Sequence, residues 1–118
     1  QMKKKLSVRE AALIAHQVCG ALEYAHKRGV IHRDIKPANI IFEAYDPVEI
    51  KVADFGIAKQ LNSDDMTTGS RIMGTPLYMA PEQIEGRQVD ARSDIYSLGI
   101  MLYEMVAGTA PFCEVSGF

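Results

Sequence analysis

Apolar residues along the 118-residue chain recur at two spacings that predict helices, separated by shorter runs of strand length. Advancing 100° per residue from Ala11 places Ile14, Ala15, Val18, Ala21, Leu22 and Ala25 within an arc of about 120°, the mark of a helix with one buried stripe. Ser7 and Glu10 supply an S-x-x-E capping box at its start, in which each side chain satisfies a backbone N–H of the first turn. His26, Lys27 and Arg28 set basic groups at the negative end, and Gly29 is the natural residue to close it. Three short apolar runs follow, Val30–Ile31, Ile40–Phe42 and Ile50–Val52, each predicting a strand. Glu43–Glu49, with Asp46-Pro47 inside, reads as the turn between the last two. From Asp54 to Met79 neither a 3.6-residue nor a 2-residue period persists, and an irregular segment of that length is usually functional. Pro81 can open a short helix. A second long helix is predicted over Ser93–Ala107, with Ile95, Leu98, Leu102, Met105 and Val106 in an arc of about 100°. Gly108 and Pro111 end it. No repeat or linker divides the pattern, which predicts one α+β unit, mainly helical with short β-hairpins.

Composition narrows the function classes. Hydrophobic residues make up 47% and charged residues 24%, an ordinary globular balance. A net charge of -2 is no footprint for nucleic acid, which calls for a strongly basic surface; the Lys3–Lys5 run reads as a solvated face. Cys19 and Cys113 are too few and too far apart for a disulfide scaffold or a zinc site, which fits a reducing compartment. No apolar run approaches the roughly 18 residues of a membrane span, and the N-terminal residues lack the order of a signal peptide. His16, His26 and the two cysteines carry no motif and read as ordinary core or surface residues.

The chemistry is concentrated in the irregular parts. His32-Arg33-Asp34-Ile35-Lys36-Pro37-Ala38-Asn39 gathers ionisable and amide side chains in one loop, and Asp54-Phe55-Gly56 begins fifteen residues after Asn39. Gly74-Thr75-Pro76, Ala80-Pro81-Glu82 and Asp94 follow in order. Singly these mean little: a loop Asp is usually a turn or cap residue, and Ala-Pro-Glu is a common helix start. In conjunction, H-R-D-x-x-x-x-N, D-F-G and A-P-E in this order resemble the catalytic domain of a eukaryotic-type (Hanks-type) protein kinase. Tyr24-Ala25-His26, Val52 through Ala58 and Asp94 through Gly99 are similar to bacterial serine/threonine kinases in particular.

The resemblance implies transfer of the ATP γ-phosphoryl group to Ser or Thr hydroxyls of protein substrates, self-phosphorylation included. Phosphoryl transfer asks the protein mainly for positioning and charge neutralisation. Asp34 would accept the hydroxyl proton, and Lys36 would set a positive charge on the transferring group and point to Ser/Thr over Tyr acceptors. Asn39 and Asp54 would hold Mg²⁺, or Mn²⁺ in its place, since such hard ions take oxygen ligands and keep several waters. Thr75 would hydrogen-bond near Asp34 and Lys36, while Leu77, Tyr78 and Met79 would line the surface beside the target hydroxyl. His32, Phe55, Gly56, Glu82 and Asp94 take supporting roles; Gly56 lets the backbone turn, and Asp94 would tie its helix to the loop. Arg33 would receive a phosphate placed on Thr67, Thr68 or, less favoured, Ser70, as a counter-charge.

The sequence holds no G-x-G-x-x-G and no Val-Ala-Ile-Lys strand. Residues 1–118 therefore resemble a central part of a kinase large lobe, from the helix before the catalytic loop through the helix after Ala-Pro-Glu. Such a segment alone is expected to be inactive and to expose apolar surface, and its parent could be membrane-anchored elsewhere. Two other readings are opposed by particular residues. A pseudokinase or scaffold is opposed by intact Asp34, Lys36, Asn39 and Asp54. A small-molecule kinase of the aminoglycoside type is opposed by the Gly74–Glu82 stretch.

Overall fold

The computed structural model describes residues 5–55, 77–109 and 111. Helix α1 spans Val8–His26, and both bonds of its capping box form: Glu10 N–H donates to Ser7 Oγ at 3.0 Å, and Ser7 N–H to Glu10 Oε1 at 3.1 Å. At the other end Val30 N–H returns to Ala25 O and Gly29 N–H to His26 O, both at 3.0 Å. Gly29 takes φ 78, the left-handed turn that this closure needs. Ala11, Ile14, Val18, Leu22 and Ala25 are buried, while Ala15 and Ala21 flank the stripe half-buried.

A 3-10 turn, Pro37–Asn39, leads into strand β1 (Ile40–Tyr45), which pairs antiparallel with β2 (Val48–Val52) in the register Ile40 to Val52 and Tyr45 to Val48. A bulge falls between Phe42 and Ala44. The strands continue through most of the expected Glu43–Glu49 turn, which contracts to Asp46 and the cis-linked Pro47. The expected strand at Val30–Ile31 does not form. Val30 N–H is taken by the closing turn of α1, and His32 N–H by the Asp94 carboxylate, so the segment has no regular series of donors to pair. Among the described residues there is thus one hairpin.

Helix α2 is short, Pro81–Ile84, with Pro81 at its first position. Helix α3 spans Ala91–Ala107 and ends at Gly108, whose φ is 91. It begins two residues earlier than expected because Asp90 caps it, accepting from Arg92 N–H at 2.9 Å. Its buried face also differs from the predicted stripe. Ser93, Asp94, Ser97, Leu98, Ile100, Met101 and Met105 are buried, whereas Leu102 and Val106 are half-buried and Ile95 is 51% exposed. Polar residues occupy the first turns of the buried face because each has a fixed hydrogen-bond partner.

The core joins α1 and α3 through Ile14, Val18, Leu22, Leu98, Met101 and Met105, with Ile35 of the loop fully buried among them. Full burial of such side chains contributes roughly 1.5–3 kcal/mol each. Gln17 fastens the hairpin to α1 from the side, its Nε2 donating to Val48 O and its Oε1 accepting from Ile50 N–H, both at 2.8 Å. Apolar surface remains open. Val8, Tyr24 and Tyr45 are more than 60% exposed, and a cleft of about 570 Å³ between α1 and β2 is lined by Ala21, Tyr24, Val30, Ile50, Val52 and Phe55. No described helix is long and apolar enough to cross a membrane.

Candidate active site

The loop between α1 and β1 is shaped by side chains donated from elsewhere in the chain. His32 is fully buried. Its Nδ1 accepts from Asp34 N–H at 3.0 Å, so Nε2 carries the proton and donates to Ala53 O at 2.8 Å. Phe55 meets its ring edge-on, with centroids 4.6 Å apart. One carboxylate, that of buried Asp94, accepts three bonds at 2.8 Å: from His32 N–H and His26 Nε2 on Oδ2, and from Arg33 N–H on Oδ1. A buried charge is tolerated when its lone pairs are met in this way.

Two residues of the site adopt left-handed backbone, Arg33 at φ 77 and Asp54 at φ 59. Each such conformation costs on the order of 1–3 kcal/mol outside glycine and persists only where the surroundings over-determine it. At Arg33 the surroundings are the Asp94 bond on its N–H and a bond from Gln83 Nε2 to its carbonyl at 2.8 Å. At Asp54 they are the bonds on the preceding residue: Ala53 N–H donates to Asn39 O at 2.8 Å while Ala53 O receives His32. The end of the hairpin is thereby tied to the loop.

These restraints bring three of the expected residues together and tie a fourth, Asp54, to them through its neighbour Ala53. Asn39 is buried, and its Nδ2 donates to Asp34 O at 2.8 Å and to Asp34 Oδ2 at 3.3 Å. Those bonds commit the amide nitrogen, so Oδ1 is the atom of Asn39 that a cation could use. Lys36 Nζ lies 3.6 Å from Asp34 Oδ1, the two side chains being 40% and 33% exposed. Asp54, one residue beyond the pinned Ala53, is exposed. No group of three or more His, Cys, Asp and Glu that could cage a metal occurs among the described residues. A neutral amide oxygen with a carboxylate suits Mg²⁺, which takes one or two protein oxygens and completes its shell with phosphate and water.

The supporting residues behave differently from one another. Glu82 Oε2 accepts from Ser93 Oγ at 2.5 Å; that hydroxyl, and then a backbone bond, hold the Glu82 carboxyl below the ordinary glutamate value. Tyr78 packs against the core, its hydroxyl donating to Glu104 and its carbonyl accepting from Ser97. Leu77 and Met79 beside it are half-buried. Gly56, Thr67, Thr68, Ser70 and Thr75, together with Cys113, lie outside the described residues.

Three site residues escaped the reading of the sequence. His26 reads as a basic group at a helix end, yet its partner is a carboxylate 68 positions away. Gln17 adjoins the apolar stripe of α1 without a motif. Gln83 is the third residue of α2, where a side chain reaches back to the cap, and this position is visible in sequence; its bond to Arg33 is not.

The chain matches the family described as protein kinase domain over residues 1–117. It belongs to that family. Over 98 residues it is 51% identical to a probable serine/threonine-protein kinase of Clostridium acetobutylicum, covering 83% of this chain and 15% of that protein. It is 48% identical over 104 residues to the serine/threonine-protein kinase PknB of Mycobacterium leprae, covering 87% and 16%. The crystal structure of the Mycobacterium tuberculosis PknI kinase domain superposes with a TM-score of 0.68 at 38% identity, covering 92% of this chain and 37% of that one. The chain thus spans about a sixth of the length of these curated relatives, and its helix-rich architecture, with one antiparallel hairpin among the described residues, is a protein-kinase-like α+β fold.

Proposed function

We propose that the protein carrying this segment transfers the γ-phosphoryl group of ATP to Ser or Thr hydroxyls of protein substrates, itself included. The observation that supports this most is the Asp34–Asn39–Lys36 arrangement, in which one amide holds both the backbone and the carboxylate of Asp34. Asp34 accepts the proton of the incoming hydroxyl and keeps its oxygen in line for displacement. Lys36 sets its ammonium beside that carboxylate and faces the transferred group. Asn39 Oδ1 and the Asp54 carboxylate would hold Mg²⁺, with Mn²⁺ as a substitute; the ion supplies neutralisation of the phosphate charge. The family resemblance implies a hydrogen-bonding role for Thr75 near Asp34 and Lys36.

Regulation follows from Arg33. Its left-handed backbone sits next to Asp34, and a phosphate on Thr67 or Thr68 supplies a counter-charge to its guanidinium. The segment by itself is inactive in this reading, since it holds no glycine-rich loop or ATP-binding lysine motif. The kinase domain works in the cytoplasm, whatever anchors the rest of the protein.

The test is Asp34→Asn in the complete protein, with radiolabelled ATP and a protein substrate. Loss of a base of this kind is expected to cost about 10²–10⁴-fold in turnover, with the circular dichroism spectrum unchanged. Turnover at the wild-type rate would remove Asp34 from the mechanism. A well-folded wild-type protein that labels neither itself nor any polypeptide would leave a scaffold as the better reading.

A further inference from the structure

Asp34 can act only if the peptide plane preceding it is held, because that plane sets where its Cα–Cβ bond points. This plane joins Arg33, in the left-handed conformation at φ 77, to Asp34. Its N–H, that of Asp34, donates to His32 Nδ1 at 3.0 Å. Its carbonyl, that of Arg33, accepts from Gln83 Nε2 at 2.8 Å. His32 holds the N–H side from within the loop, itself fixed by Asp94 and Ala53 O; Gln83, fifty positions away on α2, is what holds the carbonyl side. The other end of the Gln83 amide accepts from Ala80 N–H at 3.0 Å, at the end of the Leu77–Ala80 segment.

We propose that Gln83 is a positioning residue for phosphoryl transfer, clamping the Arg33–Asp34 peptide plane and coupling it to the segment that precedes α2. The proposal rests on the kinase reading above. Both halves of the amide are needed. The oxygen caps α2, a task that a glutamate at this helix position performs equally well. The nitrogen holds the Arg33 carbonyl, which a carboxylate cannot do because it has no hydrogen to donate. Without the clamp the plane can rotate toward ordinary backbone, carrying Asp34 away from the acceptor hydroxyl.

Gln83→Glu therefore separates a clamp from a cap. In the complete kinase, Gln83→Glu is expected to lower kcat about ten- to hundred-fold, the scale of an ångström-sized misplacement. KM for ATP and for a peptide substrate stays within about twofold, because neither binding surface is removed. Gln83→Met, which keeps the length and abolishes both bonds, should lower kcat to the same extent. Hydrogen exchange followed by mass spectrometry supplies a readout that needs no activity: peptides covering His32–Lys36 exchange faster in Gln83→Glu, while those covering Pro81–Ile84 do not. An active wild type with full kcat in Gln83→Glu overturns the proposal, as does unaltered exchange at His32–Lys36. Should the Glu variant fail to fold, full kcat in a folded Gln83→Met overturns it as well. An inactive wild type would instead count against the kinase reading, and the exchange result would still decide the role of Gln83.

Discussion

Helices α1 and α3 face each other across the same core, yet they bury different chemistry. The buried side of α1 is apolar from end to end: Ala11, Ile14, Val18, Leu22 and Ala25. That of α3 opens with Ser93, Asp94 and Ser97 and turns apolar only from Leu98 onward. The first helix contributes by removing hydrocarbon from water, a non-directional effect that any well-packed apolar residue supports. The first turns of the second contribute direction. Ser93 holds Glu82, Asp94 holds the backbone of His32 and Arg33, and Ser97 holds Tyr78 O. One helix makes the scaffold, and the other uses that scaffold to fix the His32–Asn39 loop.

The sharpest way to break this comparison is Asp94→Ala. The change leaves the His32 and Arg33 N–H groups and His26 without their acceptor, and removing one partner from a buried charged network costs about 3–5 kcal/mol. Urea unfolding of the complete kinase domain should show that loss. Asp94→Asn, which retains one acceptor oxygen, should lose less; equal losses would mean that the charge rather than the bonding pattern matters. Next comes Leu22→Ala on α1, expected to cost about 2–5 kcal/mol through lost transfer and a residual cavity. Unlike Asp94→Ala, it should leave hydrogen exchange at His32–Lys36 unchanged once both are compared under conditions of equal global stability. Accelerated exchange there would show that the two helices are not separable in this way.

A smaller effect is expected from acid. The Glu82 carboxyl is held below its ordinary value, first by the Ser93 hydroxyl and then by a backbone bond. Its folded value thus lies below its unfolded one. Its contribution is present above the unfolded value of about 4.3 and is lost as pH falls through the folded value. Ser93→Ala should flatten the acid limb of a stability–pH curve below about pH 4.5; an unaltered limb would show that Ser93 does not set the Glu82 titration. The smallest effect belongs to Ile95→Ala. At 51% exposure it should cost under about 0.5 kcal/mol, although the apolar period assigned it to the core. A loss of about 2 kcal/mol would show that another element of the kinase domain covers the groove it shares with Cys19, Leu22 and His26.

Much of this protein was legible in its residues because the signals are local. Ser7 and Glu10, the stripe from Ile14 to Ala25 and the stop at Gly29 describe α1 within a few turns of backbone. Pro81 and Gly108 mark helix ends for reasons of backbone geometry alone. The order of His32-Arg33-Asp34, Asn39, Asp54-Phe55 and Ala80-Pro81-Glu82 identified the family without any contact being known. Periodicity misled at α3, where it counted apolar residues and so placed Ile95 inside; Asp94, which the period does not count, was tied to the loop only through the family resemblance. A polar side chain is buried only when a partner awaits it, and that partner has no fixed spacing in sequence. The pairs His26–Asp94, Gln17–Ile50 and Gln83–Arg33 lie 68, 33 and 50 positions apart. Tertiary packing alone brings them to hydrogen-bond distance, and it alone holds Arg33 in its left-handed turn beside Asp34.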